Sequence, residues 1–301
     1  KYWVIIFLIV SFDILFEYFL GQNILGFQTS YPGRIASFTG DELKIGNFYF
    51  ALIFICLSFF KEKSQKIFFL FFLVFFIISL LIGERSNFLK VLIMYTIFIL
   101  FFYETGKLKK LIFFVSMIIA SIVIVINNPH LSSKFTKQIY GDLNKDFLIK
   151  DLINNDDDQN QLSRIVKNNK HFAHYNIAIN IFKENIFFGS GLKTFRIESY
   201  KKDFNIKGGG STHPHQLHFE ILSELGIIGY ILIVSNILLI LVKQKNFSED
   251  FLKIAGFLYL VATLIPILPS GSFFTSYGAS FFWLNYSFLL KLNIKKYNYL
   301  N

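Results

Sequence analysis

Residues 67–89 read IFFLFFLVFFIISLLIGERSNFL, and this stretch decides the fold class. From Ile67 to Ile82 the only polar side chain is Ser79, and no charge interrupts the run. Such a segment approaches the ~20 apolar residues that a helix needs to cross a bilayer. Helix is the expected form, because lipid leaves backbone polar groups no partner outside their own segment. Gly83, Glu84 and Arg85 end the run, and a second apolar run follows at once.

Working outward, the chain carries eight such segments: about 2–20, 47–60, 67–82, 88–103, 111–127, 218–242, 251–268 and 279–290. The composition agrees. Of 301 residues, 53% are hydrophobic, 40 are Phe, and mean hydropathy is +0.50. Only 17% are charged, against about 25% in soluble domains. Disorder, collagen-like repeats and a disulfide scaffold are excluded; Cys56 stands alone and supports neither an intrachain bridge nor a cysteine metal site. The expected fold is all-α: a polytopic helical membrane protein of about eight spans. Its expected regions are a five-span part (1–127), a long loop region with short helices (128–217), and a three-span part with a tail (218–301). The chain opens with Lys1 rather than Met and shows no cleavable leader, so its true start is expected to be missing or processed.

The net charge of +10 would point to nucleic acid in a soluble chain; here it must be divided between two membrane faces. Loops 61–66, 104–110 and 243–250 and the tail after 290 hold Lys61, Lys63, Lys66, Lys107, Lys109, Lys110, Lys243, Lys245, Lys291, Lys295 and Lys296. The opposite short loops, 21–46, 83–87 and 269–278, hold only Lys44. The lysine-rich face is therefore expected in the cytoplasm, and residues 128–217 outside it. Within that loop, 141–162 reads as a mobile polar stretch. Ser163 caps an expected helix over about 164–184 with a stripe of Ile165, Phe172, Tyr175, Ile179 and Phe182. Phe188-Gly189-Ser190-Gly191 ends it, and Gly208-Gly209-Gly210-Ser211 reads as a flexible joint.

The chain uses 26 lysines but only four arginines, Arg34, Arg85, Arg164 and Arg196, all on the expected outer side. Arginine grips phosphate through a planar fork, whereas lysine is a point charge. Arg34 and Arg85 sit in short outer loops where basic residues are disfavoured, so they point to an anionic group held there. All six histidines lie in or beside the long loop. In Thr212-His213-Pro214-His215-Gln216-Leu217-His218, Pro214 fits the first position of a helix. His215 then falls in the first turn, where the dipole favours a neutral imidazole able to take a proton from a hydroxyl. On a helical wheel His215, His218, Phe219, Leu222, Gly226 and Gly229 share a face, the glycines allowing another helix close. Glu220 and Glu224 point away. The bland alternative is a polar cap before an ordinary span. His213, His215 and His218 lack the i, i+4 spacing of a helical zinc pair, so no metal is expected. Asp13 and Glu17 share a face of the first span; a structural or substrate-lining role and a catalytic one stand level.

Together these motifs resemble the O-antigen ligase and O-antigen polymerase superfamily of bacterial envelopes. The match rests on His215-Gln216, nine residues, then Gly226-Ile227-Ile228-Gly229. Arg85-Ser86-Asn87-Phe88-Leu89 is similar to the family's R-x-x-x-L. Gly33-Arg34-Ile35-Ala36-Ser37-Phe38 and Phe187-Phe188-Gly189-Ser190-Gly191-Leu192 add weaker matches. Members have around ten to fourteen spans, so the resemblance implies that N-terminal helices are missing here. It further implies a glycosyltransferase using neither metal nor cofactor. The donor is a glycan on polyprenyl pyrophosphate and the acceptor is lipid A-core sugar. The site faces the periplasm at the inner membrane, with membrane lipids and no nucleic acid as partners. His215 would be the base, Arg34 and Arg85 the pyrophosphate clamp, and Arg164, Arg196, His213 and Glu17 secondary residues. A polymerase extending lipid-linked repeats shares these motifs. A transporter or flippase for anionic lipid-linked sugars is the rival from another class, disfavoured by spans of mostly Phe, Ile and Leu.

Overall fold

In the computed structural model, residues 1–31, 33–133, 135, 170–201, 210–243, 250–266 and 268–290 are described. They contain helices and no strand. Each of the eight apolar runs forms a helix: α1 Tyr2–Leu20, α2 Ile45–Lys63, α3 Gln65–Leu81, α4 Arg85–Ile97, α5 Lys107–Asn127, and, after α6 Lys170–Glu184, α7 Leu217–Lys243, α8 Phe251–Thr263 and α9 Ser276–Leu290. A π-helical turn, Phe98–Phe102, prolongs α4. Among the described residues five helices are long and apolar enough to cross a membrane: α1, α2, α4 with its π turn, α5 and α7. Helices α3 and α8 are apolar but shorter, with 17 and 13 residues.

Helix α2 is the hub. It packs against α1, α3, α4, α8 and α9, and 72% of its apolar window is buried. Phenylalanine fills the seams. Phe54 of α2 meets Phe72, Tyr95, Phe98 and Phe251 from three other helices, with centroids 5.2–6.3 Å apart, the range of favourable aromatic pairing. Gly256 lets α8 approach the backbone of α9 so closely that a Cβ would lie 2.4 Å from the Asn285 carbonyl oxygen. The Asn285 amide in turn donates to Ala51 O at 3.1 Å, tying α9 to α2. By contrast, only 11% of the apolar windows of α5 and α7 is buried by protein. Helices apolar on every face and uncovered by protein suit a hydrocarbon surround.

Helix α6 packs on α7. Its expected start before Lys170, with Ser163 and Ile165, lies outside the described residues, as do Arg164 and the stretch 141–162. The expected stripe is met in part: Tyr175 is buried and Phe182 half-buried. Ala173, His174, Tyr175, Ile177, Ala178 and Ile181 are buried, while Phe172 and Ile179 are exposed at 42% and 36%. The Tyr175 ring stacks on Phe219 of α7 at 4.8 Å, with Ile177, Ala178 and Ile181 buried beside it.

One end of the bundle gathers the irregular loops. Tyr277 donates to Lys44 O, Ile35 N–H to Ile82 O, Asn128 to Tyr18, and Ser270 N–H to His215 O. Arg34, Arg85, His213 and His215 all belong to this end.

Candidate active site

Loop backbone at a bundle end needs hydrogen-bond partners that an apolar surround cannot provide. Carboxylates carried by the helices provide them. Asp13 accepts from Ile24 N–H (2.8 Å) and the Ser37 hydroxyl, and Glu17 accepts from Ala36 and Ser37 N–H (3.0 and 2.6 Å). Glu220 accepts from the Ser272 hydroxyl and Phe273 N–H. Glu84, just before α4, accepts from Asn87 and Gly46 N–H. Burial pushes its carboxyl up, against the opposing pull of Asn87 and the nearby Arg34 charge. Between the two roles weighed for Asp13 and Glu17, both carboxylates hold the 24–37 loop.

Helix α7 is broken at Gly226, with φ 66° and ψ −170°. The break strips neighbouring residues of helical partners, and the 186–191 loop replaces them. Ile227 and Ile228 donate to Ile186 O and Phe187 O (2.8 and 3.3 Å); Ser190 and Gly191 donate to Ser223 O and Glu224 O (2.9 and 3.0 Å). Glu224 completes the dock by accepting from Lys193 and Phe195 N–H at 2.6 and 3.2 Å. At Gly226 the neighbour is thus this loop and not another helix: a Cβ there would lie 2.4 Å from Phe187 O. The two glycine motifs are halves of one joint. Arg196, exposed on the turn that follows, lies near Glu224.

His215 stands before α7, not within its first turn. Gln216 is the reason: its side-chain oxygen accepts from Phe219 N–H at 3.0 Å and caps the helix. His215 is left in the left-handed region at φ 59°, uncommon for a non-glycine residue. The Ser270 N–H, bonded to the His215 carbonyl at 2.8 Å, holds it there. The His215 ring meets Ser211 Oγ at 3.3 Å through Nε2. His213 and His174 stand with centroids 4.0 and 5.2 Å from it. Burial, and the His174 charge, push His213 down to about 4, so it is neutral at neutral pH. Its Nε2 is buried with no hydrogen-bond partner. His218, by contrast, is spent on Leu264 O (2.8 Å) and the Tyr230 hydroxyl (3.0 Å). Among the described residues no three His, Cys, Asp or Glu side chains stand in metal-holding geometry.

Arg34 and Arg85 come from adjoining backbone. Gly83 is so close to Gly33 that a Cβ would lie 2.1 Å from the Gly33 carbonyl oxygen. Both arginines are half-buried. Arg34 lines a cavity of about 510 Å³ with Glu17, Tyr18, Thr29, Leu81 and Asn128. Its mixed wall, a guanidinium and polar groups beside Phe19 and Leu131, suits an anionic head on an apolar stem. Sequence reasoning brought His213 and His215 together and paired Arg34 with Arg85. It missed the part of His174, because no spacing rule links residues 41 apart. It also missed Lys90, which looks like one more lysine in a run.

The model of the O-antigen ligase family matches residues 69–234, more than half of the chain. The matched part holds Arg85, the 186–191 loop, His215 and Gly226, and leaves Arg34 and Glu17 outside. Comparison with curated proteins finds no match.

Proposed function

The chain belongs to the O-antigen ligase family, and on that footing we propose that it transfers a glycan from a polyprenyl-pyrophosphate donor to a lipid A-core or related acceptor. It is a multi-pass membrane protein of glycosyltransferase type. In the proposed arrangement all eight apolar helices cross the inner membrane, the lysine-rich loops face the cytoplasm, and residues 128–217 lie in the periplasm. The reaction serves lipopolysaccharide or surface-polysaccharide assembly and uses no metal.

The observation that carries this reading is His215, fixed in an uncommon backbone conformation by Ser270 with its ring beside Ser211, His213 and His174. The acceptor hydroxyl gives its proton to the His215 ring. Its oxygen forms a bond to the anomeric carbon as the bond from that carbon to the phosphate oxygen breaks, which inverts the centre. The leaving pyrophosphate stays on the polyprenyl chain, its negative charge met by Arg34 and Arg85. Arg164, Arg196, His213 and Glu17 support donor binding or hold the site. Purified protein given lipid-linked glycan and lipid A-core acceptor tests this. Product on the acceptor supports it, lengthened lipid-linked chains indicate a polymerase, and no covalent product overturns it. His215→Ala and Arg85→Ala abolish transfer while the protein still inserts in the membrane.

A further inference from the structure

Lys90 lies one and a half turns below Arg85 on α4 and is 3% exposed. Its ammonium sits 5.5 Å from the centroid of the Phe50 ring and makes no hydrogen bond or ion pair among the described residues. Glu84 feels its charge, but that carboxylate is engaged by Asn87 and Gly46. A buried ammonium held by no more than a ring face and the charge of a carboxylate already engaged elsewhere is costly inside a membrane bundle and marks a site by default. Lys90 lines a cavity of about 30 Å³ with Asn47, Leu217, Thr263, Ser270 and Ser272. The Ser270 hydroxyl is also buried without a partner. Lys90 and Ser270 therefore share one small space with the Thr263 hydroxyl, which is also buried there. Its wall joins α4, which begins at Arg85, to the residues beside His215: Leu217 opens α7, and Ser270 holds the His215 carbonyl.

We propose that Lys90 and Ser270 form a one-atom anion socket, taking a single terminal oxygen of a phosphate-bearing ligand whose bulk lies above it. The volume sets this limit: about 30 Å³ is the space of one water-sized atom, too little for a phosphate group. The ligand's identity as a pyrophosphate rests on the glycosyl-transfer reading; the socket itself rests on Lys90, Ser270 and the cavity. An oxygen there lies against the wall that joins α4, the helix begun by Arg85, to the segment that holds the His215 carbonyl.

The test uses the full chain in nanodiscs with sodium pyrophosphate as probe, EDTA present, and sodium chloride at matched ionic strength as comparison. The wild type is expected to be stabilised by pyrophosphate and not by chloride. Lys90→Met, which keeps volume and loses charge, is expected to bind pyrophosphate ten- to a hundredfold more weakly, the usual effect of losing a charged hydrogen bond. Ser270→Ala is expected to bind it more weakly by a smaller factor, and keeps the question answerable if Lys90→Met does not fold. In transfer assays Lys90→Met is expected to raise the donor KM more than it lowers kcat. Equal stabilisation by chloride, no response in the wild type, or unchanged binding in both variants overturns the socket. Because binding is read without glycan, a wild type that binds pyrophosphate through Lys90 yet transfers nothing defeats only the glycosyl-transfer reading.

Discussion

The imidazole rings of His213 and His215 stand with their centroids 4.0 Å apart, and the Nε2 of His213 is buried without a hydrogen-bond partner while that of His215 meets Ser211 Oγ. His213 is held down to about 4 by burial and by His174, from an ordinary value near 6.5. Above pH 6.5 both folded and unfolded chains keep it neutral, and stability does not depend on it. Between 6.5 and about 4 the unfolded chain takes a proton that the fold refuses, so stability falls as pH falls. Melting of wild type and His213→Phe from pH 7.5 to 4.5 checks this. The variant is expected to show a shallower loss; parallel curves would defeat the assignment.

His215→Asn separates chemistry from folding. Asparagine tolerates the left-handed region, so the φ of 59° and the bond from Ser270 survive. It cannot take the acceptor's proton. Transfer is expected to fall by about 10² to 10⁴, the usual worth of a general base, with the melting temperature unchanged. His215→Ala adds backbone strain and is expected to melt lower as well.

The helices were legible because a long apolar run must satisfy its backbone polar groups within itself whatever its neighbours. Each of the eight runs became a helix within a few residues. What was hidden was non-local. Nothing near Gly226 shows that its partner is the 186–191 loop, since the carbonyls and N–H groups involved belong to every residue alike. The position of His215 turned on one side chain: Gln216 caps α7, so the proline two residues earlier cannot start it. The phase of α6 was legible in part: Tyr175 of the expected stripe stacks on Phe219 of α7, while Phe172 and Ile179 stay exposed and Ala173, Ile177, Ala178 and Ile181 take the buried face.

Gly226→Ala measures the glycine joint. Its φ and ψ of 66° and −170° fall where only glycine is at ease, at about 1–3 kcal/mol for other residues. A Cβ would also strike Phe187 O and Gly189 N, at 2.4 and 2.5 Å. Denaturation is expected to show a loss of at least that size, and proteolysis should cut the released 186–191 loop first. Gly106→Ala is the control: φ is −62° with nothing within 4 Å, so no more than the small cost of alanine at the N-cap of α5 is expected. Equal behaviour of the two would remove the joint's structural role.

Glu220 links the end of α7 to the segment that steadies His215. Its two oxygens accept from the Ser272 hydroxyl and the Phe273 N–H, two residues beyond the Ser270 N–H that holds the His215 carbonyl. In Glu220→Gln the amide oxygen keeps the Phe273 N–H and the amide NH2 donates to the Ser272 hydroxyl, which accepts as readily as it donates, so the loss is expected to stay below about 1 kcal/mol. Glu220→Ala leaves both unpaired and is expected to cost more. Because the 270–273 segment loosens, kcat is expected to fall more than donor KM changes, and Glu220→Asp, with a shorter reach, to recover only part. A variant that melts lower yet keeps full kcat would show that Glu220 serves the fold alone and that the His215 backbone is held without it.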